Sequence, residues 1–347
     1  MTSQSSTDPL IACLRRATGD THPSLATSVL PALLRGISRT ASALRSAHSV
    51  EKVGLDNVFG DAQLNVDVQA ERFFRDEIRA CAAIVAASSE EDPVEVRKAD
   101  EDEDGNESGS GSGYENADIY AVAFDPLDGS SIIGPNWAVG SIIGIWAGAT
   151  ALGRDPRDQI AAVLGVYGPR TTALIAVRVP GREANAICLE VGIGSDVNGH
   201  ATYALVREGV RLGDRAGESG TRYFAPANLR AAAEDERYMA LVQRYIAERY
   251  TLRYSGGLVP DVAHALEKGH GVYVSPVTRG SRAKLRRAFE LLPVALVVEC
   301  AGGGAVDPSD GRRVLETPLQ TLAEKGGIVC GSTEEVERVR VWFGVGG

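Results

Sequence analysis

Apolar positions in this chain follow two rhythms. In some stretches they recur every three or four residues; in others they crowd into short runs or alternate, the periods of amphipathic helices and of strands. After a lead-in over residues 1–24 with some helix, helical patterning runs to about residue 47, and a further helix is predicted from about 62 to 81. On that helix Asp67, Ala70, Phe74, Ile78 and Cys81 share one stripe. Strands are predicted at residues 82–87, 119–124, 142–146, 161–167, 173–177 and 186–191. The second half alternates helices (238–249, 259–268 and 282–301, the last broken by Pro293) with strands at 271–275 and 327–330. Such alternation predicts an α/β fold in layers.

Two stretches interrupt the pattern. Residues 92–117 are acidic and rich in Gly and Ser, with too little apolar content to form a core, and read as a surface loop. Residues 209–220 turn charged and glycine-rich, which suits a hinge. At 347 residues the chain exceeds one typical core, so two domains are expected, 1–215 and 216–347. The formal net charge of −10 offers no basic footprint for nucleic acid, and no apolar run approaches a membrane span. Five scattered cysteines without a Cys-x-x-Cys point to reduced thiols, and with no secretory signal the expected location is the cytoplasm, a plastid being the alternative.

The most informative residues are Asp125-Pro126-Leu127-Asp128-Gly129-Ser130-Ser131, which follow the strand at 119–124. Two carboxylates with a carbonyl between them suit a hard cation such as Mg²⁺. The Gly-Ser-Ser turn lets successive backbone N–H groups converge on a phosphate. In isolation the same residues also describe an Asx turn closing a strand. Asp67 on an apolar stripe is costly unless paired or metal-bound, and it also suits a helix-start residue facing solvent. Glu90-Glu91 follows the strand at 82–87 and alone reads equally as solvated surface. If the strands at 82–87 and 119–124 are parallel neighbours, these carboxylates meet at one edge.

The run from Asp125 to Trp146, DPLDGSSIIGPNWAVGSIIGIW, closely resembles the metal and phosphate segment of the class I fructose-1,6-bisphosphatase and sedoheptulose-1,7-bisphosphatase family. The resemblance extends from about residue 59 to 336 with several motifs in order, and implies an αβαβα sandwich of two mixed-sheet domains. It implies that Glu90, Asp125, Asp128, Glu290 and the Leu127 carbonyl hold two or three Mg²⁺ ions per subunit, with Mn²⁺ as an alternative. Asp67 and Glu91 would orient and deprotonate the attacking water. Ser281-Arg282-Ala283-Lys284-Leu285-Arg286 through Glu290 resembles the family's Lys-Leu-Arg…Glu segment, placing Lys284 on the phosphate removed and Arg286 near the sugar. Without the resemblance that segment reads as a surface helix with an Arg286–Glu290 pair. Asp128, Gly129, Ser130 and Ser131 would bind the same phosphate. Arg253, Tyr254, Gly256 and Gly257, with Asn228 in Phe224–Arg230, would bind the sugar and its distal phosphate.

The implied reaction is hydrolysis of the C1 phosphate of sedoheptulose 1,7-bisphosphate by a homodimer or homotetramer. Ser275 before Pro276, where fructose enzymes typically carry tyrosine, leaves room for a seven-carbon sugar. The alternatives are a fructose-1,6-bisphosphatase, a dual-specificity enzyme and, more remotely, a non-catalytic sugar-phosphate binder. An inositol-phosphatase-like monoesterase shares the Asp-x-x-Asp-Gly core, but the segment from Arg253 to Gly257 argues against it. Residues 46–57 lack the cysteine pair of light-regulated plastid enzymes, and the N-terminus lacks the AMP-binding Gly-Thr-Gly-Glu-Leu-Thr pattern. Little response to dithiol reduction or AMP is therefore expected; assays with each added show it, and a large reversible change in rate contradicts it.

Overall fold

The computed structural model describes residues 8–56, 62–97, 118–213 and 220–344. Helices α1 (Pro9–Thr18) and α2 (Leu30–Ser46) lead to a two-stranded ribbon, β1 (Lys52–Asp56) with β2 (Ala62–Leu64), and then to α3 (Asn65–Ala80). Next come β3 (Ile84–Ser89), β4 (Val96–Arg97), β5 (Tyr120–Asp128), the single turn α4 (Ser130–Ile133), β6 (Val139–Ala147), β7 (Gln159–Tyr167), β8 (Thr171–Val177), β9 (Ile187–Ser195) and β10 (Ala201–Arg207). These eight strands form one mixed sheet in the order β10-β9-β8-β7-β6-β5-β3-β4, with β3 and β5 its one parallel pair.

The rest of the chain runs β11 (Tyr223–Pro226), α5 (Glu236–Ala247), β12 (Thr251–Leu252), α6 (Leu258–Lys268), β13 (Val272–Ser275), β14 (Leu285–Arg286), α7 (Leu292–Cys300), β15 (Gly304–Val306), β16 (Lys325–Gly326), β17 (Ile328–Gly331) and α8 (Thr333–Phe343). A second mixed sheet has the order β12-β11-β13-β17-β15, and β14 pairs with β16 apart from it.

Three cores hold together five layers, α/β/α/β/α, the middle one surrounding the central helices. The buried stripes of α1 to α3, with Leu14, Leu33 and Phe74, meet Val122, Phe124, Ile143 and Val163 on one face of the large sheet. Its other face, with Ala121, Ala123, Ile142 and Leu164, meets α6 and α7 and the inner face of the small sheet. Helices α5 and α8 cover the small sheet's outer face. Residues 120–124 of β5 alternate strictly between two cores, which is why this apolar run is buried on both faces. Helix α7 lies in the central layer, which is why Leu292 to Val298 is apolar all round.

The layered fold agrees with the sequence expectation; several boundaries do not. Residues 62–64 belong to β2: Leu64 is extended, and its N–H donates to the Asp67 carboxylate at 2.9 Å, starting the helix at Asn65. Residues 282–301 are not one helix broken by Pro293. Residues 285–286 form β14, Arg287–Leu291 is a π-helical turn, and Pro293 sits in the first turn of α7, where its missing N–H costs nothing. Strand β10 was not foreseen; at the sheet edge its residues are all at least partly exposed, so the apolar signal is weak. Of the acidic stretch 92–117, Val96–Arg97 is a strand, and residues 98–117 lie outside the described residues. The five cysteines are buried and free of disulfides. Among the described residues no helix is long and apolar enough to cross a membrane.

Candidate active site

The parallel pairing of β3 with β5 brings Glu90, one residue past β3, beside the Asp125–Asp128 end of β5. β5 continues through the motif but shifts register against β6 between Asp125 and Asp128, as an inserted residue does. The Asp125 carboxylate accepts from Leu127 N–H at 2.9 Å, which holds this bend. Glu290 arrives from the π turn, with its carboxylate accepting from Arg286 N–H at 2.5 Å. A carboxylate oxygen from each of Glu90, Asp125 and Glu290 lies within 4.8 Å of the others. π turns widen the helix by one residue, and here that turn aims Glu290 inward.

Asp128 faces differently. Its two oxygens accept from Leu258 N–H (3.2 Å) and Val259 N–H (2.7 Å), the first donors of α6. That helix start approaches closely because β6 carries Gly140: a Cβ there would lie 2.4 Å from Val259 Cβ. Gly129 then reverses the chain at φ +97°, a conformation that favours glycine. Ser130 follows, donating to Asp67 and to the Leu127 carbonyl, both at 3.2 Å. Asp67 thus stands beside the motif and is held by Leu64 and Ser130.

These carboxylates are buried with little to neutralise them. Burial drives the Asp67 carboxyl up to about 7, raised further by Glu91 and Glu90 against the hydrogen bonds from Leu64 and Ser130. Burial likewise takes Asp128 to about 7 despite the donors from α6. Asp125 and Glu290 are raised well above the usual carboxylate range, first by burial and then by Glu90 and their other acidic neighbours. Arg286 is the cation the fold supplies: 1% exposed, it donates to Glu90 at 2.8 Å. It thus bonds one of the carboxylates, and its chain neighbour Leu285 lines an adjoining cavity.

Beside this cluster is a cavity of about 320 Å³ lined in part by Ser131, Asn228, Tyr254, Gly256, Ser275 and Lys284. Asn228, at φ +49°, donates its side-chain amide to the Pro276 carbonyl at 2.9 Å. Gly256, at φ +101°, and Ser255 donate their backbone N–H groups to Asp261. Gly257 caps α6, with no room for a Cβ beside Pro260 (2.9 Å). Arg253 does not line the cavity; its guanidinium lies 5.7 Å from the Tyr223 ring centroid and donates to the Leu252 carbonyl. Cavities of about 450 and 680 Å³ lie elsewhere, so size alone does not mark the site.

Two supports were not read from the sequence. Ser141 on β6 donates to the Pro126 carbonyl at 2.6 Å, and the Tyr167 hydroxyl meets Ser141 at 2.6 Å, so the loop is braced from behind. Ser89 donates to Glu71 at 2.8 Å, and Arg75 bonds Glu71 at 2.7 Å, pinning the end of β3 that presents Glu90. A serine and a tyrosine within otherwise apolar strands were the available signal.

Two family descriptions match the chain: "Fructose-1-6-bisphosphatase, N-terminal domain" over residues 14–196 and "Fructose-1-6-bisphosphatase, C-terminal domain" over residues 218–344. The chain is 35% identical over 285 residues to the chloroplastic sedoheptulose-1,7-bisphosphatase of Spinacia oleracea, covering 81% of this chain and 65% of that protein. It therefore spans just under two thirds of that plant relative. The class 1 fructose-1,6-bisphosphatase of Geobacter sulfurreducens is 33% identical over 294 residues, covering 84% of this chain and 82% of the bacterial one. A Toxoplasma gondii crystal structure, provisionally named a sedoheptulose-1,7 bisphosphatase, superposes with a TM-score of 0.80 at 34% identity, covering 96% of this chain and 98% of the other. The holo fructose-1,6-bisphosphatase of Leishmania major shares the fold, with a TM-score of 0.76 at 22% identity.

Proposed function

The chain belongs to the fructose-1,6-bisphosphatase family, and on that premise we propose that it hydrolyses the C1 phosphate of sedoheptulose 1,7-bisphosphate. The observation that carries the reading is the convergence of Glu90, Asp125 and Glu290 beside a cavity that begins at Ser131 and Lys284. The all-oxygen donor set, buried and short of positive charge, fits Mg²⁺, with Mn²⁺ as a substitute. Glu90, Asp125, Asp128, Glu290 and the Leu127 carbonyl would hold two or three ions. Bound there, divalent cations supply positive charge to the phosphoryl oxygens and lower the pKa of water.

The chain's own groups then have separate tasks. Asp67, with a proton affinity near neutrality and Glu91 as its acidic neighbour, takes the proton of the attacking water. The N–H groups of Gly129, Ser130 and Ser131, with Lys284, orient the phosphoryl oxygens and offset their charge. Asn228, Tyr254 and Gly256 seat the sugar and its distal end. Ser275 leaves space where a larger side chain would narrow the cavity, and this favours the seven-carbon sugar. Fructose 1,6-bisphosphate is the second substrate, since one additional hydroxymethine changes binding modestly.

The test is phosphate release from the two bisphosphates side by side, with Mg²⁺ and with chelator. A higher kcat/KM on the seven-carbon substrate, lost on chelation, is expected. Equal or better use of the six-carbon substrate overturns the assignment while keeping the mechanism, and activity undiminished by chelation overturns the metal reading.

A further inference from the structure

The cavity beside the carboxylates has a cationic wall. Arg230, Arg282 and Lys284 all line it, and none of the three is ion-paired with a described carboxylate. Several other arginines of the same half are ion-paired, Arg222 and Arg244 with Glu248, Arg237 with Asp235 and Arg287 with Glu324. In a chain of net charge −10, unpaired guanidinium groups facing one cavity mark a place for an anion. Lys284 stands one short strand before the π turn that carries Glu290, at the reacting end. Arg230 is tied to a different part of the wall.

Arg230 Nε lies 3.4 Å from Asn228 Oδ1. Asn228 is itself held, with its left-handed backbone and its amide donating to Pro276. Tyr254 lines the same cavity as Asn228 and Arg230, and both neighbours act on its hydroxyl. Guanidinium, phenol and Asn228 thus converge on one spot, and a planar guanidinium offers phosphate two parallel donors. Arg253 directs its guanidinium over Tyr223 instead. We propose that Arg230 is the residue of this chain that receives the distal phosphate and thereby selects bisphosphates over monophosphates. The proposal rests on the sugar-bisphosphate reading above and names the residue that sets its substrate class.

The experiment compares the parent with Arg230→Gln, Arg230→Lys and Arg282→Gln. Each is assayed on the seven-carbon bisphosphate and on the same sugar carrying only the C1 phosphate. Binding of sedoheptulose 7-phosphate is measured separately by calorimetry without metal. Arg230→Gln is expected to lower kcat/KM on the bisphosphate by about 10- to 100-fold, mainly through KM, the loss of a hydrogen bond to a charged group. It should leave the C1 monophosphate unchanged and weaken the 7-phosphate by a similar factor, and Arg230→Lys should recover part of both. Equal losses on both substrates, no loss, or a larger loss in Arg282→Gln overturns the assignment. If the parent hydrolyses neither compound, the hydrolase reading fails, yet the calorimetry still decides Arg230. A parent that binds no 7-phosphate overturns this inference as well.

Discussion

Asp125→Asn should lower kcat/KM by on the order of 10³-fold, about 4 kcal/mol of lost transition-state stabilisation, while raising the melting temperature of the metal-free protein. Both effects come from one arrangement. Asp125 is buried, and Glu90, Asp128 and Glu290 push its proton affinity up. Asparagine keeps the acceptor for Leu127 N–H, so the bend at the end of β5 survives. It removes a buried like charge that metal-free protein must otherwise protonate or tolerate. Activity within tenfold of the parent, or a lower metal-free melting temperature, would remove Asp125 from the proposed cluster.

Asp128→Ala is a poorer probe. From the motif alone it looks like a change that spares the fold. The structure shows both Asp128 oxygens accepting from the start of α6, so alanine strands two buried donors at a cost of about 1–3 kcal/mol each. Lost activity in that variant would mix chemistry with a displaced helix.

The second large effect is a pH dependence of stability that metal abolishes. In the metal-free fold Asp67 binds its proton up to about 7, against a usual value of 3.8. The folded state therefore holds more protons than the unfolded one between those values, and stability falls as pH rises through them. Asp67's contribution is fully present below about pH 4 and gone above about pH 7, on the order of 4 kcal/mol at 1.36 kcal/mol per unit. Melting curves of the parent and Asp67→Asn in chelator isolate it, because the other titrating groups are common to both. The variant should gain on the parent steadily from pH 4 to 7, and saturating Mg²⁺ should raise the parent most at the alkaline end. A difference that stays flat across that range, or a Mg²⁺ effect greatest in acid, contradicts the account.

The local parts of the site were legible because their signals are local. An apolar strand that ends in Asp125-Pro126-Leu127-Asp128-Gly129 announces its own turn. The stripe through Asp67, Phe74 and Ile78 follows from helical period alone, and the structure buries all three. The parallel neighbours β3 and β5 could be posed only as a condition, since strand pairing is a contact between distant residues. The helix expected at 282–301 failed for a related reason: β14 pairs with Lys325–Gly326, and the π turn that aims Glu290 begins where that pairing ends.

By itself, then, the sequence determined the layered α/β class, the bend that presents Asp125 and Asp128, and the family to which those motifs belong. These follow from periodicity and turn chemistry, which act over a few residues. Only the tertiary structure decided that Asp128 caps α6, that Arg286 lies against Glu90, and that Arg230 rather than Arg253 lines the cavity. Side-chain direction there is set by packing between layers, where residues over a hundred positions apart compete for the same donors and the same space.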